Sequence, residues 1–120
     1  VVAARDVQVW ECNTPGGRVI DALRIGIDLH RRHAVTSVPA GSICASAGAL
    51  AWLSGARRQL SGRLLFHGPT PEMTPNLRWS LFLLLLNWDV PQWIVERVVA
   101  LHAGEFWEPD AEARTALVRQ

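Results

Sequence analysis

Short β-branched runs alternate along this chain with longer stretches of helical periodicity. Apolar and polar residues alternate from Val7 to Trp10, which predicts a strand running into the turn Pro15-Gly16-Gly17. Val1 to Arg5 extend that strand or lead into it. From Val19 to Arg32 the period lengthens. Ile20, Leu23 and Ile27 form one apolar row, Ala22, Ile25 and Leu29 widen it, and Asp21, Arg24, Asp28 and Arg31 make a charged face, so a helix is expected. His30 and His33 close that helix among arginines. Cations suit the negative end of a helix, which accounts for them as a solvated cap rather than a metal site. Val35 to Val38 reads as a strand bounded by Pro39 and Gly41. Ser42 to Cys44 leads into a turn at Ser46, and Ala47 to Ser54 continues as a helix of small residues stopped at Gly55. Arg57 to Leu60 and Arg63 to Phe66 are two further short strands, divided by Ser61-Gly62.

The second half is mainly helical. A proline-rich loop, Gly68 to Pro75, precedes a helix from Asn76 to Trp88, and Val90-Pro91 starts another that runs to about His102. Glu105 to Pro109 is a connector or short strand, and Asp110 caps a final helix to Val118. Trp79, Trp88 and Trp93 are expected to pack mostly into the core. Leu81 to Leu86 is strongly apolar, but Arg78, Asn87 and Asp89 bound it too closely for a transmembrane span, so it reads as a buried or interface helix. Strand, helix and strand in alternation predict one α/β domain over residues 1–120, with no internal repeat or linker.

Composition narrows the chemistry. A net charge of +1 implies no strong electrostatic pull toward nucleic acid or anionic lipid. All 12 basic residues are arginine. Without lysine the chain cannot run a Ser-Lys dyad, a Schiff base or a P-loop, and without tyrosine its general bases reduce to histidine and the carboxylates. Cys12 and Cys44 are too few for a disulfide scaffold and lack metal-type spacing. One bridge is possible, but two buried thiols are the expectation. No signal-peptide pattern is visible in the first residues, and the compartment stays open.

The stretch from Gly41 to Pro69 carries the candidate chemistry. Ser46 sits among Cys44, Ala45, Ala47, Gly48 and Ala49, where small neighbours allow a sharp turn and the close approach of a substrate. The N–H of Ala47, at a helix start, could face an oxyanion. His67 ends the apolar run Leu64 to Phe66, on a different element, as the base of a nucleophile usually is. Upstream, Pro15-Gly16-Gly17 is explained by a tight turn alone, but glycine also lets a backbone N–H point unobstructed at a developing negative charge.

Together, NTPGG (Asn13 to Gly17), ICASAGALAWLSGARR (Ile43 to Arg58) and RLLFHGP (Arg63 to Pro69) resemble the three signature segments of the Clp protease proteolytic subunit family, within the Clp/crotonase superfamily. The likeness runs from about Val7 to Val118 and is strongest between Asn13 and Pro69. It implies an α/β fold in which β-β-α units form a spiral, with helices packed on a mostly parallel sheet. It also implies a serine peptidase that needs no cofactor. Ser46 would be the nucleophile, His67 the general base, and the N–H groups of Gly17 (or Gly16) and Ala47 the oxyanion hole. The family's aspartate falls in a segment matched here by Ala103 to Trp107, where Glu105 stands nearest; Asp110 is the alternative acid. The substrate would be an extended peptide, handled inside a homo-oligomer with an ATP-dependent unfoldase as a possible partner.

This sequence departs from the family's pattern in three ways. The Ser46–His67 interval is a few residues shorter, the helical handle is reduced, and CASAG is closer to a divergent branch. Family members also carry strands and a helix ahead of the first segment, which makes an N-terminally truncated member the expectation. Two rivals follow: a catalytically silent scaffold subunit, and a crotonase-like acyl-CoA enzyme, which would need neither a serine at the turn nor a histidine after the next strand.

Overall fold

The computed structural model describes residues 8–119. In chain order its elements are β1 (Val9–Glu11), α1 (Val19–Arg31), β2 (Val35–Val38), β3 (Ile43–Ala45), α2 (Ala47–Trp52), β4 (Arg57–Leu60), β5 (Arg63–His67), α3 (Pro75–Asn87), α4 (Gln92–Val99), β6 (Phe106–Trp107) and α5 (Ala111–Leu117). The expectation for Val1 to Val7 lies outside the described residues. The strands make two three-stranded sheets, in the orders β1-β2-β4 and β3-β5-β6. Pairing is parallel except between β5 and β6. This is the mixed α/β arrangement that the alternating pattern predicts, because parallel neighbours need a crossover and the helices supply it.

The chain passes from one sheet to the other within three residues. Cys12 N donates to Ser37 O at 2.8 Å, prolonging the β1–β2 ladder, while Thr14 already bridges to Cys44 of β3. That crossing brings Cys12 and Cys44 within 5.3 Å at Cα, and they form a disulfide. The expectation of two buried thiols is thus corrected: residues 32 apart in sequence become cross-sheet neighbours through topology. Closing a loop of that length constrains the unfolded chain by about 3–4 kcal/mol.

Helix α1 packs by a different face from the one its large residues mark. Ala22, Gly26 and Leu29 are buried, whereas Ile20 is 49% exposed and Ile25 and Ile27 are exposed as well. Close packing on the small residues of α2 and on the buried ring of Trp88 selects that face. A Cβ added at Gly26 would lie 2.5 Å from Trp88 Cη2, so the indole occupies the space a side chain would need. Gly26→Val is therefore expected to cost about 2–3 kcal/mol by overpacking, with little return from helix propensity. Urea unfolding at unchanged slope would show it; a midpoint equal to wild type would mean that the Trp88 contact gives way freely.

The tryptophans divide in the same manner. Trp52 and Trp88 are in the core, but Trp79 is 61% and Trp93 47% exposed, so two of the expected core rings are surface residues. From Leu81 to Leu86 helix α3 is apolar all round, yet only Leu81 and Leu85 are buried; Trp79 stacks on Phe82 outside. Its start follows local rules, with Thr74 accepting from Leu77 N at 3.1 Å and Pro75 in the first turn.

One buried cation joins the helix ends. Arg58, fully buried on β4, donates to the carbonyls of Leu53, Trp88 and Leu117, which lie at the C-terminal ends of α2, α3 and α5. Burial pulls its pKa down to about 10, so it stays charged at neutral pH. No helix among the described residues is long and apolar enough to cross a membrane.

Candidate active site

Strand register sets the position of Ser46 and His67. Strands β3 and β5 run parallel with Ala45 opposite Leu65, and Ser46 N donates to Leu65 O at 2.7 Å. Ser46 therefore emerges just beyond the C-terminal end of β3, beside the C-terminal end of β5, where His67 is the last residue. Clefts at the C-terminal ends of parallel strands are the usual place for ligands in α/β folds. The chain turns from β3 into α2 at Ser46 with φ 57° and ψ −122°. A non-glycine residue held at positive φ costs on the order of 1–3 kcal/mol and persists only where the surroundings impose it. Such a strand-to-helix turn lifts a serine hydroxyl clear of the strand ends.

The Gly16-Gly17 turn lies directly against this serine. Gly16 has φ 137°, and a Cβ there would sit 2.8 Å from Ser46 Cβ, so both backbone conformation and space require glycine. Thr14 clamps the turn: its hydroxyl donates to Gly16 O at 3.1 Å and accepts from Gly16 N at 3.2 Å. The N–H of Gly16 is thus occupied. No described residue accepts a hydrogen bond from the N–H of Gly17 or of Ala47, and the space beside Gly17 is open. Gly17 is exposed to solvent, and Ala47 opens α2, where the leading N–H groups have no partner within the helix, so both donors are free to meet a ligand.

Ser46, His67 and Gly17 line one cleft of about 480 Å³. Beneath it a small recess beside Ser46 is walled by Val19, Leu50, Met73, Leu81 and Val98. The rim is the loop from Gly68 to Thr74, tied down at both ends. Gly68 N donates to Glu105 O at 2.8 Å, and Glu72 accepts from Ala103 N at 2.8 Å and from Arg78 at 3.2 Å. The Glu72 carboxylate also lies 2.9 Å from His102 Nδ1. That contact with His102, then the Ala103 N–H, holds the Glu72 carboxyl below its ordinary range. The contribution to stability is complete above the usual carboxylate pKa and fades as the pH falls through the lowered one.

The two candidate acids are directed elsewhere. Glu105 Oε1 accepts from His102 N at 2.8 Å, and Asp110 Oδ1 accepts from Ala113 N at 3.0 Å as the cap of α5. No carboxylate among the described residues is hydrogen-bonded to His67. Its exposed ring lies 6.0 Å from that of Phe106, on the neighbouring strand β6. Neither does a hydrogen bond join His67 to Ser46 in the free protein, a distance that catalytic pairs commonly close only when substrate is bound. Thr14, Met73 and Glu72 are additions to the site that motif spacing does not reveal. The threonine ahead of Pro-Gly-Gly was the one available signal, since threonine hydroxyls often close such turns.

No family model matches the chain, and no curated protein matches it. A solved structure does: the 1510-N membrane-bound stomatin-specific protease, as a mutant in complex with a substrate peptide, superposes with a TM-score of 0.67 at 16% sequence identity. The match covers 98% of this chain and 62% of that one. At this identity the likeness is one of fold: the chain shares the mixed α/β fold of that structure.

Proposed function

We propose that the protein is a serine peptidase that cleaves peptide bonds through an acyl-enzyme on Ser46. The observation that carries the proposal is the convergence of Ser46, His67 and Gly17 at one cleft, with Ala47 beside the same serine and histidine in the adjoining recess and neither Gly17 N–H nor Ala47 N–H bonded to a described residue. In the reaction His67 takes the Ser46 proton as the hydroxyl oxygen attacks the scissile carbonyl. The oxyanion is received by the N–H groups of Gly17 and Ala47, and His67 returns the proton to the leaving amine. Water then attacks the acyl-enzyme by the same route, and the acid is released. Gly16 takes no part as a donor, because Thr14 holds its N–H; its role is to bring the turn against Ser46.

The pair acts as a dyad, since Glu105 and Asp110 are engaged with backbone N–H groups. Around it, the two sheets and their helices are read as a Clp/crotonase-type spiral of β-β-α units, one domain over 1–120. The substrate is an extended peptide. Assembly as a homo-oligomer, which would cover exposed apolar residues such as Ile20, Trp79 and Trp93, belongs to this reading, as does an unfoldase partner.

A second reading has one observation in its favour. The missing carboxylate partner of His67 is what a catalytically silent scaffold subunit would show. Fluorophosphonate labelling of the wild-type protein, mapped by mass spectrometry, separates the two. Label on Ser46 is the expected result; an unlabelled but demonstrably folded sample would overturn the peptidase and leave the scaffold.

A further inference from the structure

We infer that the Cys12–Cys44 disulfide is a positioning element for the Ser46 site and places its activity under redox control. The inference rests on the peptidase proposed above and concerns its regulation.

Three parts of the site converge on this bond. Cys44 is on β3, two residues before Ser46. Cys12 heads the segment that reaches, through Thr14, to the Gly16-Gly17 turn. Helix α2, whose first residue Ala47 supplies the second donor, starts directly above the bond. A Cβ on Gly48 would collide with Thr14 Cγ2 and lie 3.1 Å from Cys12 Sγ and 3.7 Å from Cys44 Sγ. The helix start, the threonine clamp and the disulfide are thus packed without spare room. Both sulfurs belong to residues at most 1% exposed.

The remaining ties between these segments are hydrogen bonds at the crossing between the sheets. Thr14 N donates to Ile43 O at 2.9 Å, Ala45 N to Thr14 O at 3.0 Å, and Ile43 N to Asn13 Oδ1 at 3.2 Å. Each can be exchanged for water when the segment opens; the covalent bond cannot. With the disulfide formed, the Gly17 N–H and the Ser46–Ala47 turn keep a fixed separation, which an oxyanion hole needs because its donors act only at defined distances. With it reduced, two thiols must share the space, and the glycine turn is held to the serine by hydrogen bonds alone.

The chemistry of the switch is thiol–disulfide exchange. A thiolate of a dithiol reductant attacks one sulfur of the pair, forming a mixed disulfide and expelling the other cysteine as a thiolate, which takes up a proton. The second thiol of the reductant then closes on the first, releasing the remaining cysteine. Two electrons pass from the dithiol to the protein, and an oxidised cyclic disulfide leaves. Since both sulfurs are buried, exchange proceeds through opening of the segment, so it is slow and responds to sustained conditions.

The test compares oxidised and dithiothreitol-reduced full chain, and the variant Cys12→Ser/Cys44→Ser, in fluorophosphonate labelling of Ser46 over a range of probe concentrations. Far-UV circular dichroism and the thermal midpoint are followed on the same samples. The expected result is a maximal labelling rate lower on the order of 10²-fold in the reduced and variant chains, as for the loss of one oxyanion donor. The half-saturating probe concentration should be little changed, the fold retained, and the rate regained on reoxidation. Equal rates in folded oxidised and reduced chains would overturn the inference while leaving the peptidase standing. Loss of labelling only together with loss of the folded signal would also overturn it, assigning the bond to global stability. Absence of labelling in the folded, oxidised protein would overturn the peptidase itself, a result reached before any reduction.

Discussion

Ser46→Ala is expected to abolish fluorophosphonate labelling and to lower peptide hydrolysis on the order of 10²-fold rather than 10⁶-fold. The magnitude follows from the missing acid. In a serine protease with a complete triad, removing the serine or the histidine costs about 2 × 10⁶ in kcat, and removing the aspartate alone costs about 3 × 10⁴. The quotient, about 70, is what serine and histidine still supply when no carboxylate orients the ring. His67 has no such partner here, since Glu105 is held by His102 N and Asp110 by Ala113 N. His67→Ala should therefore match Ser46→Ala in hydrolysis, the double variant should be no worse, and Glu105→Gln should stay within about twofold of wild type, because groups that act as a unit are lost together. Initial rates on a fluorogenic peptide at saturating concentration measure all four. A fall near 10⁶ for Ser46→Ala, with a large fall for Glu105→Gln, would show that Glu105 leaves His102 to orient His67, and the dyad would be wrong.

What the sequence made legible was local, and what it concealed was set by contacts between distant segments. Strand β2 falls where β-branching and Pro39 place it, and β4 where Gly55 and Ser61-Gly62 bound it. The caps at Thr74 and Asp110 follow from side-chain chemistry within four residues. The turns at Gly16-Gly17 and Ser46 are similar cases: small residues mark a sharp bend, and the parallel register then carries Ser46 and His67 to one cleft. By contrast, the buried face of α1 is decided by what packs on it. The large Ile20–Leu23–Ile27 row has the stronger periodic signal, yet α2 and Trp88 approach too closely for anything but Ala22 and Gly26. Cys12 and Cys44 likewise become partners only through the crossing between sheets. The acid failed to emerge for a related reason, since backbone N–H groups near Glu105 and Asp110 compete for their carboxylates and win at short range.

Arg58→Met is expected to lower stability by about 3 kcal/mol, although it exchanges a buried charge for an apolar chain of similar length. Two opposing effects decide the sign. Relieving the guanidinium of its desolvation is favourable, and its Nη2 has no hydrogen-bond partner among the described residues; replacing buried charges by apolar groups is often neutral or stabilising for that reason. Against this stand three carbonyls, Leu53 O at 3.0 Å, Trp88 O at 3.2 Å and Leu117 O at 2.6 Å. Each belongs to a helix end without a helical donor for its last turn, and each would be left buried and unsatisfied at about 1–3 kcal/mol. The cation also faces three helix C-termini, each favouring positive charge by about 0.3–1 kcal/mol. Three orphaned acceptors outweigh one relieved nitrogen and the desolvation gain, so the loss prevails. Because β4 is also bonded to the terminal segment through Arg58 N to Arg119 O at 3.0 Å, the backbone pairing survives the substitution, and the change isolates the side chain. Arg58→Lys should lose nearly as much, since a single ammonium on a shorter stem cannot span three directions. Urea midpoints at constant slope measure both losses. A methionine variant as stable as wild type would mean that water enters to serve the carbonyls, and that the arginine holds the three helix ends at no net gain.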